Sequence, residues 1–158
     1  MELANQTQID DFLKKHCWDE EIYPYLSIDK WVSEKKEYRD DWGGGIYVSK
    51  NNDCLFHYAF NRSGQLIMDI SIYSKSSKET YKCFNLIKNI IKRYGVEYLE
   101  SCSHESNKKS LKIQNKIYGN HCGIKKDRAW NSLKGKYEDL YQFRIKASNL
   151  KLLQNENL

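Results

Sequence analysis

Apolar residues along this chain switch between a helical period and a strand period, and the switches mark its elements. Behind Thr7-Gln-Ile-Asp, a helix-start sequence, Ile9, Phe12, Leu13 and His16 recur on one face and predict a short helix over Thr7–His16. Pro24 excludes helix from Trp18 to Leu26. Ser27-Ile-Asp-Lys then restarts a helix that turns Ile28, Trp31 and Val32 inward and runs to about Trp42. Gly43-Gly44-Gly45 ends it as a loop hinge.

Three runs rich in β-branched and aromatic residues follow: Ile46–Lys50, Cys54–Phe60 and Gln65–Tyr73. Asn51-Asn52-Asp53 and Asn61-Arg62-Ser63-Gly64 separate them with turn formers, which predicts an antiparallel three-stranded meander. From about Lys78 to Tyr94 the spacing of Tyr81, Phe84, Ile87, Ile91 and Tyr94 is helical, with Gly95 as the C-terminal cap. Val96–Cys102 reads as a strand, Lys108–Tyr118 as a helix ended by Gly119, and Gly123–Trp130 with Glu138–Lys146 as a last pair of strands. Asn149–Leu158 has no evident partner. One α/β domain over residues 1–148 is expected, with residues 149–158 as a tail.

Composition narrows the class. The 158 residues suffice for one domain that buries roughly two thirds of its unfolded surface, so no covalent staples are required. No apolar run approaches the roughly 20 residues of a membrane span, and residues 1–15 lack the basic and apolar regions of a secretion signal. Five scattered cysteines suit reduced thiols, and a cytoplasmic location is expected. The net charge of +5 rests on lysine, since arginine is confined to Arg39, Arg62, Arg93, Arg128 and Arg144. Such a surface suits solvation or an anionic ligand; nucleic acid is an open partner, though forked arginine contacts are scarce. Richness in lysine and asparagine points to an AT-rich genome, bacterial or phage.

Two polar residues lie within the meander. Asp69 interrupts Ile67, Ile70 and Ile72, and His57 alternates with Leu55 and Ala59; either is placed to act as a base. Each histidine lies near a cysteine: His16-Cys17, Cys54-x-x-His57, Cys102-x-His104 and His121-Cys122. None repeats in the spacing of structural zinc sites, so no metal is expected. Cys83, alone on its helix, reads as core.

The order of elements, together with Glu105-Ser-Asn-Lys-Lys-Ser-Leu-Lys-Ile-Gln-Asn-Lys-Ile117, resembles the GNAT N-acetyltransferase superfamily. In that family an Asn after the fifth strand precedes a helix with small and apolar residues at fixed offsets; Asn107, Ser110, Leu111, Ile113 and Ile117 match. The motif covers residues 105–119 and the topology about 46–146. The resemblance implies a mixed-sheet fold of meander, strand-helix-strand-helix and C-terminal hairpin.

It also implies an activity: transfer of an acetyl group from acetyl-CoA to an amine acceptor, small molecule or protein, by direct attack. The pantetheine arm would pair with the strand through Ile72, Tyr73 and Ser74. The pyrophosphate would lie over Lys75, Ser76, Ser77, Lys78, Glu79 and Thr80, where small residues and lysines replace the family's two loop glycines. Asn107 and Ser110 would complete the donor site. The proton donor's place, seven residues after Asn107, holds Gln114, which hydrogen-bonds but does not protonate a thiolate; Tyr118, one turn on, is the alternative. The other class left open is a GNAT-fold module without catalysis, binding or structural, associated with nucleic acid or a virion. A monomer or homodimer is expected, without membrane attachment.

Overall fold

The protein was analysed as a computed structural model, which describes residues 3–16, 19, 22, 44–62 and 66–150. The helix expected over residues 27–42 lies outside the described residues. In chain order the elements are α1 (Gln6–His16), β1 (Gly44–Val48), β2 (Cys54–Arg62), β3 (Leu66–Ser74), α2 (Ser77–Tyr94), β4 (Tyr98–His104), α3 (Lys108–Tyr118), β5 (Gly123–Asn131) and β6 (Lys136–Lys146), followed by a single 3₁₀ turn at Ala147–Asn149.

One six-stranded sheet has the order β1-β2-β3-β4-β6-β5. All of its neighbours are antiparallel except β3 and β4. Strand alternation gives the sheet two apolar faces. Cys54, Phe56, Tyr58, Met68 and Ile70 point to one, under Cys83, Phe84, Ile87 and Ile90 of α2 and Ile117 of α3. Val48 and Leu55 point to the other, under Ile9, Phe12 and Leu13 of α1. Each fully buried large side chain stabilises by roughly 1.5–3 kcal/mol. Cys83 is core, as its sequence setting implies, and its Sγ lies 3.6 Å from Cys54 Sγ.

Local chemistry fixes the helix ends. Asn5 Oδ1 accepts from Gln8 N while Gln8 Oε1 accepts from Asn5 N, both at 2.9 Å, so α1 starts on a reciprocal cap just before the Thr7 signal. Gly95, at φ 69°, closes α2 by donating to Ile91 O at 2.9 Å. Beyond α1, buried His16 faces two acceptors, Asp19 Oδ2 at 3.1 Å and the carbonyl of Asn52, and so ties α1 to the β1–β2 turn. Asp19 in turn pairs with Lys75 at 2.9 Å, reaching the segment between β3 and α2.

Two expectations are corrected. Gly44 and Gly45 are not a loop but the start of β1, because their neighbours leave no room for a side chain: a Cβ on Gly44 would lie 2.5 Å from Tyr58 O, and one on Gly45 2.8 Å from Leu3 Cδ2. Leu150, assigned to an unpartnered tail, is buried in the core with Leu99 and Val96.

Gly44→Ala is therefore expected to cost about 1–3 kcal/mol of stability, since the obstacle is backbone that cannot step aside. Gly123→Ala, whose nearest atom is the flexible tip of Gln142 at 3.7 Å, should change the urea midpoint by less than about 0.5 kcal/mol equivalent. Equal midpoints for the two variants would contradict this packing.

Candidate functional site

The parallel pairing of β3 with β4 is short. It spans Ile67↔Tyr98, Met68↔Leu99 and Asp69↔Glu100, yet β3 runs on to Ser74 and β4 to His104. Past Asp69 the two strands part, and the backbone of Ile70–Ser74 has no ladder partner on that side among the described residues. Between them opens a cavity of about 570 Å³. Its walls are β3 from Ile70 to Ser74, the first turns of α2, β4 from Ser101 to His104, and the inner side of α3 from Lys108 to Tyr118.

Of the residues singled out in the sequence, Ile72, Tyr73, Ser74, Ser76, Ser77, Thr80, Asn107, Ser110, Gln114 and Tyr118 line this cavity. Lys75, Lys78, Glu79, His57 and Asp69 are not among its lining residues. Lys75 is held by Asp19, and Glu79 pairs with Lys82 at 2.8 Å.

Helix α2 presents its N-terminus to the cavity, the part of a helix that favours anions. Its own serines occupy part of that end. Ser76 Oγ accepts from Glu79 N at 3.3 Å, Ser74 Oγ accepts from Ser76 N at 3.1 Å, and Ser76 O takes both Thr80 N and Thr80 Oγ1 at 3.0 Å. Across the cavity Asn107 caps α3, its Oδ1 accepting from Ser110 N at 3.2 Å.

Gln114 is fastened to the floor of the opening: it accepts from Ser101 Oγ and donates to Cys102 O at 3.2 Å and to Ser110 Oγ at 2.9 Å. Tyr118 also hydrogen-bonds Ser101, and burial pushes its phenol up to about 12, so it stays protonated at neutral pH. Ser103 is nine-tenths buried, lines the cavity and carries the one buried side-chain nitrogen or oxygen without a partner among the described residues.

On the opposite face of the sheet, Asp69 and His57 stand diagonally across β2 and β3, since Asp69 pairs with Ala59 and His57 with Ser71. Asp69 keeps solvent contact, but the packed chain around it, with the Glu100 carboxylate in second place, pushes its carboxyl up to about 6. Its neighbour Cys102 rises to about 11, by burial first and by the Asp69 charge second.

A network that the sequence reading missed closes the far end. Glu138 is buried on β6 and accepts from His104 Nδ1 and Ser106 Oγ, both at 2.8 Å, and from Asn131 Nδ2 at 3.3 Å. Burial works to raise the Glu138 carboxyl, but these three donors outweigh it and hold it below the usual range. Burial lowers His104 against the pull of Glu138. The network pins the β5–β6 hairpin to the loop that presents Asn107. Among the described residues no group of His, Cys, Asp and Glu could hold a metal ion, and no helix is long and apolar enough to cross a membrane.

No protein-family model and no curated protein matches the chain. Solved structures do. The ribosomal-protein-S5-alanine acetyltransferase from Vibrio fischeri superposes with a TM-score of 0.67 at 13% identity, over 94% of this chain and 93% of that one. A GCN5-related N-acetyltransferase from Brucella melitensis gives 0.61 at 19% identity, over 97% and 78%. RimL, the ribosomal L7/L12 alpha-N-protein acetyltransferase in complex with coenzyme A, gives 0.62 at 11% identity, over 91% of each chain. The mixed sheet, its parted central strands and these superpositions together assign the chain the GNAT acetyltransferase fold.

Proposed function

We propose that the chain is an N-acetyltransferase that moves the acetyl group of acetyl-CoA onto an amine by direct attack, in the cytoplasm. The observation that carries this reading is the unpaired stretch of β3, Ile70–Ser74, opening onto a cavity that reaches the N-terminus of α2. An arm containing amides fits such an edge as an added strand, and small side chains along it let backbone approach. A structural neighbour, RimL, is solved with coenzyme A. Acetyl-CoA supplies an activated acyl carbon; the residues named below do the rest.

The pantetheine arm is assigned to the β3 edge at Ile72–Ser74, and the phosphates to the N-terminus of α2 at Ser76, Ser77 and Thr80, with Asn107 and Ser110 on the facing wall. The thioester then lies near the floor, where Ser101, Gln114 and Tyr118 meet. A backbone N–H of the β3 edge polarises its carbonyl. Tyr118, protonated at neutral pH and in the cavity wall, is the proton source for the departing thiolate, while Gln114 orients. Asp69, on the other face and close to the point where the strands part, takes the proton of the incoming amine, with His57 as the second candidate. A carboxyl near 6 is suited to that task at neutral pH.

Acetyl-CoA should raise the melting temperature; at 100 times its dissociation constant the gain is about 2.7 kcal/mol. No shift at millimolar acetyl-CoA or CoA contradicts donor binding. A shift without turnover on any amine panel favours instead the non-catalytic binding module, for which the self-capped α2 terminus and the Gln at position 114 speak.

Asp69→Asn should lower turnover by roughly 10²–10⁴-fold with CoA affinity unchanged, and wild-type turnover should climb as pH rises through about 6. Turnover within threefold of wild type removes Asp69 from the reaction, and His57→Ala is then decisive for the remaining candidate. Stability carries the opposite sign. The folded carboxyl binds its proton more tightly than the unfolded one, so the wild-type advantage over Asp69→Asn is full below about pH 4 and is lost as pH rises through about 6. A pH-independent difference in urea midpoint contradicts the shifted carboxyl.

A further inference from the structure

We infer that Ser103 Oγ is a hydrogen-bonding anchor for the pantetheine arm of the donor, a residue that the motif alone does not point to. The inference rests on the acetyl-CoA reading above and adds a specific contact to it. Ser103 stands on β4, in the wall of the slot, and is 4% exposed. Its pairing with Tyr141 and the strand's alternation put it on the same face as Ser101, the face covered by α3.

Five other hydroxyls around the slot are engaged. Ser101 serves Gln114 and Tyr118, Ser106 serves Glu138, Ser110 receives Gln114, and Ser74 and Thr80 both donate to Ser76 O. Ser103 Oγ has no partner among the described residues. Leaving a hydroxyl buried and unpaired is unfavourable, and alanine would fill the same strand position without that cost. A hydroxyl kept at such a place, in the wall of an open cavity, is matched to a group that arrives with a ligand.

The arriving group belongs to the arm and not to the nucleotide. Ser103 lies on β4 between the floor at Ser101 and the strand's end at His104, whereas the phosphate-favouring helix terminus belongs to α2 on the β3 side. The arm's two amides and its hydroxyl are the polar groups that pass along a slot between two strands, and a serine can donate to or accept from any of them.

The test compares wild type with Ser103→Ala by calorimetric titration of CoA and, separately, of pantetheine, alongside the urea midpoint of the ligand-free proteins. Affinity for both ligands should fall by the same factor, about 3- to 10-fold, because the lost bond is to the part they share. The ligand-free midpoint should stay level or rise, since a buried unpaired hydroxyl has been removed. Unchanged affinity in Ser103→Ala, with wild type binding normally, overturns the inference and leaves the donor reading standing. A loss for CoA but none for pantetheine places Ser103 at the nucleotide and overturns it too. A lowered ligand-free midpoint with unchanged affinities assigns Ser103 a structural role instead. Wild type that binds neither ligand overturns both the donor reading and this contact.

Discussion

Everything in this protein depends on where the β3–β4 pairing stops. Three residue pairs hold the strands together, and beyond Asp69 and Glu100 each continues without the other. A parted pair of central strands exposes backbone donors and acceptors that folding normally satisfies, so it is a liability unless the surrounding chain prevents closure and a ligand completes the ladder. The elements on either side hold it open. β3 is fixed to β2 along its length up to Ser74, and β4 is fixed to β6 up to His104. Helices α2 and α3 then stand against the two diverging strands, each on the shared apolar core through Phe84, Ile87 and Ile117.

The chemistry divides along the same line. On the helix-covered face the opening is lined by hydroxyls and by the amides of Asn107 and Gln114, neutral groups that bind and orient, with Lys108, Lys109 and Lys116 beside them. On the other face Asp69, Glu100 and Cys102 cluster, and desolvation, with the Glu100 charge second, raises the Asp69 carboxyl. On the proposed reading, a base on one face reaches a donor arm on the other only where the sheet has a gap. The Glu138 network secures this arrangement from the far side by fastening His104, Ser106 and Asn131 together behind the Asn107 loop.

Much of this was legible in the sequence because the governing signals are local. The limits of α3 at Lys108 and Tyr118, the cap at Gly95 and the turn at Asn51-Asn52-Asp53 follow from capping chemistry and φ preference alone. Serines at Ser76 and Ser77 and Asn107 line the cavity because a strand-helix boundary places them there. What was not legible depends on long-range contacts. Gly44 and Gly45 read as a hinge, because nothing near them in sequence reveals that Tyr58 and Leu3 press on β1. Lys75 reads as a phosphate ligand until the fold brings Asp19 beside it. Glu138 is only the first residue of a predicted strand until the approach of His104, Ser106 and Asn131 makes it a buried acceptor. Ser103 carries no signal at all, since a small residue on a buried strand face is unremarkable until its missing partner is noticed.

Amide hydrogen exchange with and without CoA tests the central claim most directly, because the claim concerns specific backbone groups. If the unpaired edge of β3 receives the donor arm, CoA should slow exchange within Ile70–Ser74 and at the start of α2, while β1 and the outer strand β5 remain as they were. Unchanged exchange across Ile70–Ser74, under conditions where CoA is bound, would contradict it.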